Sequence, residues 1–261
     1  MSNRLVVKSR GPSARPSPPA GRARPTALFL SETIGGVDDG ANFLQKLPAG
    51  DQAAVRAEAV PLRVAAGAPV FIQGDPHEGI YLIESGLVRA YYTGPSGREI
   101  TLAYWTPGHF VGGPEIYGGG THIWSADATE DSRLLYLTGV SIQRLIARLP
   151  RFAACLIEGL VAKGKCYSAL VQMLGTRSVV ERLAHLLLLM SRLYGEPEGD
   201  RLVVRRRVTH DELATIVGAT RQWVTITLDR FQKKGIIEVD RQRIVIVKPD
   251  ALLALAADRN G

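Results

Sequence analysis

The chain has 261 residues, 46% hydrophobic and 22% charged, with a formal net charge of +7. That length accommodates two modest domains with cores of their own, and the proportions are ordinary for a globular protein. No run approaches the roughly 18 apolar residues of a membrane span, and Met-Ser-Asn-Arg is followed by no apolar leader, so a cytoplasmic protein is expected.

Residues 1–27 hold six basic side chains and no acid, broken by Arg15-Pro-Ser-Pro-Pro, and read as a disordered basic tail. From Leu28 to Ala57 the signals are helical, including Asn42-Phe-Leu-Gln-Lys-Leu. Short β-rich runs come next, at Val70-Phe-Ile, Ile80-Tyr-Leu-Ile, Leu87 to Tyr92, Ile100 to Trp105 and Leu134-Leu-Tyr-Leu. Gly74, Gly86, Gly97 and Gly108 punctuate them at intervals of 12, 11 and 11, which indicates an antiparallel sandwich or barrel. This unit with its flanking helices spans residues 28–149.

Pro150 suits the first position of a long helix covering 150–175. Leu156, Leu160, Tyr167, Leu170 and Leu174, with Lys163 between them, form a stripe that must pack on the β domain or on a second copy. Gly175-Thr176 marks a hinge, Arg177 to Tyr194 another helix, and Glu196-Pro-Glu-Gly-Asp an exposed connector. Cys155 and Cys166, about 16 Å apart along such a helix, cannot bridge and read as buried free thiols.

The strongest signal lies in the final segment, 176–261. Thr209-His-Asp-Glu212 is a capping box, Leu213, Ala214 and Val217 give the short helix an inner face, and Gly218 ends it. Thr220 caps a second helix in which Val224, Leu228 and Phe231 recur at four and three. At 100° per residue that stripe turns Gln222, Thr225, Ile226 and Asp229 outward, with Arg221 in the first turn. Two short helices about a glycine turn match a helix-turn-helix, whose second helix enters the DNA major groove. Two apolar runs around Asp240-Arg-Gln read as a β-hairpin wing. Residues 201–248 carry eleven basic side chains against five acidic, while the chain outside this segment and the tail sums to −5. A basic module on a mildly acidic body is the footprint of a nucleic-acid binder. The expected contact set is Thr209, Thr220, Arg221, Gln222, Trp223, Thr225, Ile226, Lys233, Arg241 and Arg243. Arg221 would read guanine or a phosphate, Gln222 adenine, and Ile226 a thymine methyl, with the wing and lysines on phosphates.

Taken in order, these residues resemble the cyclic-AMP receptor / fumarate-nitrate-reduction regulator (Crp/Fnr) family. The resemblance covers about residues 60–250. It rests on the glycine-punctuated β segment with Pro107-Gly-His-Phe-Val-Gly112, the long helix, Glu181-Arg-Leu-Ala, Ile216 to Thr225, and Arg230-Phe-Gln-Lys-Lys-Gly-Ile-Ile. The C-terminal half is similar to the nitrogen-control regulator branch. The resemblance implies an α+β fold: a β-roll like a cyclic-nucleotide-binding domain, a dimerisation helix and a winged helix-turn-helix. It further implies a homodimer on a palindromic operator, with RNA polymerase and a small-molecule effector as further partners. An effector would sit near Gly112, Gly113, Pro114, Glu115, Ile123, Tyr167 and Ser168. Yet Gly113 stands where cyclic-AMP binders place a ribose-binding Glu, and Ile123 where they place the Arg that pairs with the cyclic phosphate. A phosphate buried without a cation is costly, so another effector is expected.

Enzymatic readings find little support. The five histidines are scattered rather than clustered as a cupin metal site requires, and Gly112 to Gly120 lacks the Lys-Ser/Thr of a phosphate loop. His77, His109 and His122 read as lone surface histidines rather than haem ligands. No catalytic residue, metal or cofactor is expected. The remaining alternatives are a sensory module acting on a protein partner, or a regulator controlled by its abundance alone.

Overall fold

The computed structural model describes residues 44–199, 201–205, 208–240 and 243–257. The basic tail, the helical signals before residue 44, and Arg241 lie outside the described residues. Leu44–Leu47, read as helical, instead form turns, and helix α1 (Ala49–Glu58) begins only after Pro48. The residue before a proline is pushed out of the α region, so Leu47 cannot start the helix.

Eight strands then build the N-terminal domain: β1 (Val60–Val64), β2 (Pro69–Phe71), β3 (Gly79–Ser85), β4 (Val88–Thr93), β5 (Glu99–Trp105), β6 (Phe110–Val111), β7 (Ser125–Ala128) and β8 (Ser132–Thr138). They form two four-stranded antiparallel sheets, ordered β1-β8-β3-β6 and β2-β7-β4-β5. The pleat sorts the side chains. In the β4–β5 pair, Val88 lies opposite Trp105 and Ala90 opposite Ala103, all four buried, while Arg89 and Tyr91 face the other way. Strands β1, β6 and β7 carry no sequence signal of their own. Strand β7, Ser-Ala-Asp-Ala, is paired on both sides and takes its conformation from its neighbours.

Helix α2 (Gly139–Arg148) is capped by Thr138, whose hydroxyl accepts from Ser141 N. Helix α3 (Pro150–Thr176) runs 27 residues without a break. The expected hinge at Gly175-Thr176 is therefore displaced: both residues are helical, and the chain turns at Arg177 and Ser178. Ser178 caps α4 (Val179–Tyr194) in a reciprocal box with Glu181, which fixes where the new helix starts. The segment read as an exposed connector is a hairpin, β9 (Gly195–Glu198) with β10 (Arg201–Val204). It forms because Val203 and Val204 are drawn into the core and carry the preceding strand with them.

The C-terminal domain continues with α5 (His210–Val217), α6 (Arg221–Lys233), β11 (Ile237–Asp240), β12 (Arg243–Ile246) and α7 (Pro249–Ala257). Its sheet runs β11-β12-β10-β9, and its core joins Leu183, Leu187, Leu213, Val224, Leu228, Phe231, Ile246 and Leu252. Tyr104 of β5 is buried in the same core, so the two domains share a seam. A hydrogen-bond relay crosses it. Arg89 Nε donates to Thr101 Oγ1 (3.0 Å), Thr101 Oγ1 to Thr215 Oγ1 (3.0 Å), and Thr215 Oγ1 to the Glu212 carbonyl (3.0 Å). Each hydroxyl thus donates once and accepts once. Among the described residues no helix is long and apolar enough to cross a membrane. Cys155 and Cys166 are buried and free, as expected, and burial holds both thiols protonated, Cys166 with its pKa pushed up to about 12.

Gly218, between α5 and α6, adopts φ +62° in the left-handed region, and a Cβ there would come 2.8 Å from Leu174 Cδ2. We expect Gly218→Ala to cost roughly 1–3 kcal/mol, read as a lower urea midpoint with an unchanged m-value.

Candidate nucleic-acid interface

Local chemistry sets the two helices of the motif. The Thr209 hydroxyl accepts from Glu212 N (3.1 Å) while the Glu212 carboxylate accepts from Thr209 N (2.8 Å), closing the predicted capping box. Gly218 ends α5, and Thr220 opens α6 by accepting from Trp223 N (3.2 Å). Val224, Leu228 and Phe231 are all essentially inaccessible, and Thr227 joins them. Burial on that side leaves Arg221, Gln222, Thr225, Ile226, Asp229, Arg230 and Lys233 facing solvent.

This outward face has three features. Arg221 has a side chain 70% exposed, and its nearest acid is Asp211 at 3.4 Å, an exposed pair worth little and easily exchanged. Trp223 and Ile226, 51% and 45% exposed, form an apolar patch on an otherwise polar helix. The Thr225 hydroxyl is already engaged: it donates to the Arg221 carbonyl (3.0 Å) and lies 2.8 Å from His210 Nδ1. Having committed its proton, it accepts from a protonated Nδ1. His210 is thus a positioning residue for α6 that sequence reading missed, because no local pattern links positions 15 apart. Lys233 is exposed and paired with Asp229 (2.7 Å), and Arg243 is exposed at the start of β12.

The residues expected to hold an effector divide into separate environments. Gly112 and Gly113 are buried, while Pro114, Glu115, Ile123 and Ser168 are exposed. Tyr167 is half-buried between Trp105 and Trp124, with ring centroids at 6.4 and 5.6 Å. The Gly112–Glu115 loop is closed by the protein itself: Gly113 N donates to His77 Nε2 at 2.8 Å. The surface-histidine reading is overturned, since His77, His109 and His122 are each at least 96% buried. His122 stacks on Phe71 (3.9 Å between centroids, 12° between planes) and meets His77 edge-on at 4.5 Å. Segments distant in sequence bring these rings together beside Phe71, which sequence spacing does not reveal, and Nδ1 of both His77 and His122 is buried with no hydrogen-bond partner among the described residues.

Of the two places open to the α3 stripe, its own β domain or a second copy, the structure shows its own chain, so its assignment as the subunit seam is corrected. Leu156 is 1% exposed and packs with Phe110 and Phe152, Leu160 borders the same cluster, and Leu170 and Leu174 border the C-terminal core. Tyr167 faces the β domain, and Lys163 is buried with Nζ 3.7 Å from the centre of the Trp105 ring. Burial pulls that ammonium down to about 7. These side chains are consumed by their own chain. The opposite face of α3 carries Ile157 (62% exposed), Val161 (51%) and Val171 (69%).

Comparison with known proteins agrees with this architecture. A family model for the cyclic nucleotide-binding domain matches residues 61–149, and one for the Crp-like helix-turn-helix domain matches residues 181–255. The cyclic AMP receptor protein of Thermus thermophilus is 32% identical over 173 residues, 66% of this chain and 77% of the relative. The global nitrogen regulator of Synechococcus elongatus is 27% identical over 188 residues, 71% of this chain and 85% of the relative. Among solved structures, a Thermus thermophilus transcriptional regulator of the CRP/FNR family superposes with a TM-score of 0.59 at 28% identity, covering 77% of this chain and all of that one.

Burial depresses the basicity of both His77 and His122, the latter to about 4 with His77 adding to the effect. The folded state therefore favours the neutral rings. Their contribution is complete above the ordinary value of 6.5 and is lost as pH falls toward 4. Thermal midpoints should drop between pH 7 and pH 4, and His122→Gln should flatten that dependence; parallel slopes for the two proteins would remove the pair as the cause.

Proposed function

Because the chain belongs to the Crp/Fnr family of transcription regulators, we propose that it binds a palindromic operator as a homodimer, with α6 of each subunit in the major groove. The observation that carries this reading is the orientation of α6. Its apolar stripe is buried in the domain core, so Arg221, Gln222 and Ile226 are free to meet base edges. Arg221 reads guanine through its two-pronged guanidinium, Gln222 pairs with adenine, and the Ile226–Trp223 patch meets thymine methyl groups. Thr209 and Thr220 stand at helix N-termini, where backbone N–H groups and the helix dipole favour phosphate. Lys233 and Arg243 add phosphate contacts that fix position without reading sequence. Such a regulator works in the cytoplasm, beside the chromosome.

The second subunit covers the outer face of α3. Ala154, Ile157, Val161, Gly164, Ser168 and Val171 are all exposed and recur at alternating steps of three and four, the period of a two-helix seam. Gly164 and Ser168 at its middle are small enough to let two backbones approach closely.

The effector is something other than cyclic AMP. The loop that would cradle a cyclic phosphate carries Gly113 and Glu115, its backbone is tied to neutral His77, and Ile123 points to solvent. A phosphate placed there meets a carboxylate and finds no cation in the loop. Binding in the β-roll would shift α3, and the turn at Arg177-Ser178 would pass the shift to the paired recognition helices.

Two measurements test these assignments. Arg221→Ala should lower operator discrimination by about 1–3 kcal/mol in fluorescence anisotropy while leaving the dimer intact; unchanged sequence preference removes Arg221 as a reader. Val161→Glu, at a position exposed within the subunit, should give a folded monomer in analytical ultracentrifugation with little operator affinity. Leu156→Ala should instead lower stability by about 2–5 kcal/mol and leave the assembly state alone.

A further inference from the structure

The Gly112–Glu115 loop meets its own domain through an imidazole. Gly113 N donates to His77 Nε2 at 2.8 Å, so that nitrogen carries no proton and the neutral ring bears its hydrogen on Nδ1. Nδ1 is buried without a hydrogen-bond partner among the described residues. The closed arrangement gains one hydrogen bond and leaves one buried donor unmet, so its net advantage is small. A carboxylate flanks the same glycine: a Cβ added at Gly113 would lie 3.0 Å from His77 Nε2 and 3.3 Å from Glu115 Oε2. The backbone behind the ring is fixed. His77 N donates to the Gly120 carbonyl (3.2 Å), and the His77 carbonyl accepts from Gly119 N (2.7 Å). His122 N donates to the Asp75 carbonyl (2.9 Å), and its ring fills the space between Phe71 and His77. On that side Tyr81 stacks on Phe71 and leans on Tyr136, and burial keeps both hydroxyls protonated, with Glu78 and Asp75 as the neighbouring acids. A charge arising on His77 is thus relieved most directly on its loop side, where Glu115 stands.

We propose that the loop is a proton-operated latch: a proton taken up at His77 Nε2 ends its bond to Gly113 N, turns the ring to the Glu115 carboxylate and frees the loop. A protonated Nε2 is a donor and cannot accept the Gly113 N–H, whereas the carboxylate accepts from it in a charge-assisted bond. Burial lowers the basicity of His77 and Glu115 partly restores it. His122 is held lower still, to about 4, by burial first and by His77 second, so the first proton goes to His77. The closed state needs the neutral ring. It is therefore complete above the ordinary histidine value of 6.5 and is lost as pH falls through the lowered value of the folded protein. The loop continues from β6, whose Phe110 abuts α3 at Gly159, so its release bears on the helix that carries the C-terminal domain. The inference rests on the loop geometry and not on the operator reading.

Hydrogen exchange on the full chain between pH 7 and pH 5, corrected for the intrinsic effect of pH, tests this at residues 112–115. Protection of the Gly113 amide should fall by about tenfold per pH unit once His77 titrates, while the amides of β8 keep theirs. His77→Gln retains an acceptor for Gly113 N and cannot take the proton, so its loop protection should not change with pH. Glu115→Gln alters an exposed side chain and removes the carboxylate that receives the ring, so the loop should open at a lower pH than in the unaltered protein. The proposal is overturned by full loop protection down to pH 5, by equal loss in β8, by the same pH dependence in His77→Gln, or by an unmoved midpoint in Glu115→Gln. Because no DNA is present, the outcome is independent of the operator assignments.

Discussion

The packing of α3 onto the β-roll is the constraint on which the other relations depend. Gly159 makes it possible: a Cβ at that position would lie 2.5 Å from Phe110 Cε1, so the helix approaches strand β6 as closely as it does only with a glycine facing the ring. That approach seats Phe152, Cys155 and Leu156 on one end of the roll and Cys166 on the other. Each large apolar side chain so buried is worth about 1.5–3 kcal/mol. The same approach carries Lys163 over Trp105 and Phe110, where cation–π attraction offsets part of its desolvation. Once this face is occupied, the rotation of the helix is fixed. The residues left outward are Ile157, Val161, Ser168 and Val171, which no described element of the same chain covers.

A helix fixed in this way also sets the position of the domain attached to its C-terminal end. Arg182 Nη1 binds the Leu174 carbonyl, and Ser178 with Glu181 caps α4 immediately after the turn. The C-terminal domain is therefore suspended from α3 by a short, hydrogen-bonded joint rather than a loose linker. Its second attachment is the relay from Arg89 through Thr101 and Thr215 to Glu212. Arg89 in turn is paired with Glu99 at 2.5 Å and lies 3.5 Å from Asp127. The relay ends on the carbonyl of the residue whose carboxylate closes the capping box of α5. Two attachments at different points of the C-terminal domain, one helical and one polar, define its orientation. A change at either one bears directly on where α6 points.

Much of this was legible in the sequence wherever the signal is local. The capping box at Thr209 and Glu212, the cap at Thr220, the stop at Gly218 and the 4-3 stripe of α6 each involve residues within one or two turns, and the structure places them as read. Strands rich in β-branched and aromatic residues were equally plain. What escaped was set by tertiary contact. Strand β7 has poor strand formers and exists because β2 and β4 flank it. The hairpin of β9 and β10 hides in a sequence of Gly, Pro and Glu. His77 and His122 look isolated in sequence and meet only when the folded strands bring them together beside Phe71. On α3 the sequence leaves the most hydrophobic stripe open to its own domain or to a second copy, and a helix lying on its own domain commits its best apolar residues there first. The weaker stripe, with valine, isoleucine and small residues, is the one left exposed.

The recognition face shows how such a division of labour narrows the chemistry available. Of the polar side chains on α6, Thr225 has its hydroxyl committed between His210 and the Arg221 carbonyl, and Lys233 is held by Asp229. Thr225 therefore offers a methyl group rather than a donor. Under the proposed function, the groups left to discriminate bases are then the Arg221 fork, the Gln222 amide and the apolar surface of Trp223 and Ile226. An exposed tryptophan beside an exposed isoleucine is a poor choice for a face that meets only water, since both remain unburied in the free protein. In the proposed operator complex that patch would be covered, and thymine methyl groups would suit it better than the polar edge of cytosine. On the proposed reading, selectivity on this helix would rest as much on apolar fit as on hydrogen bonds, and the buried stripe of Val224, Leu228 and Phe231 holds both kinds of group in place.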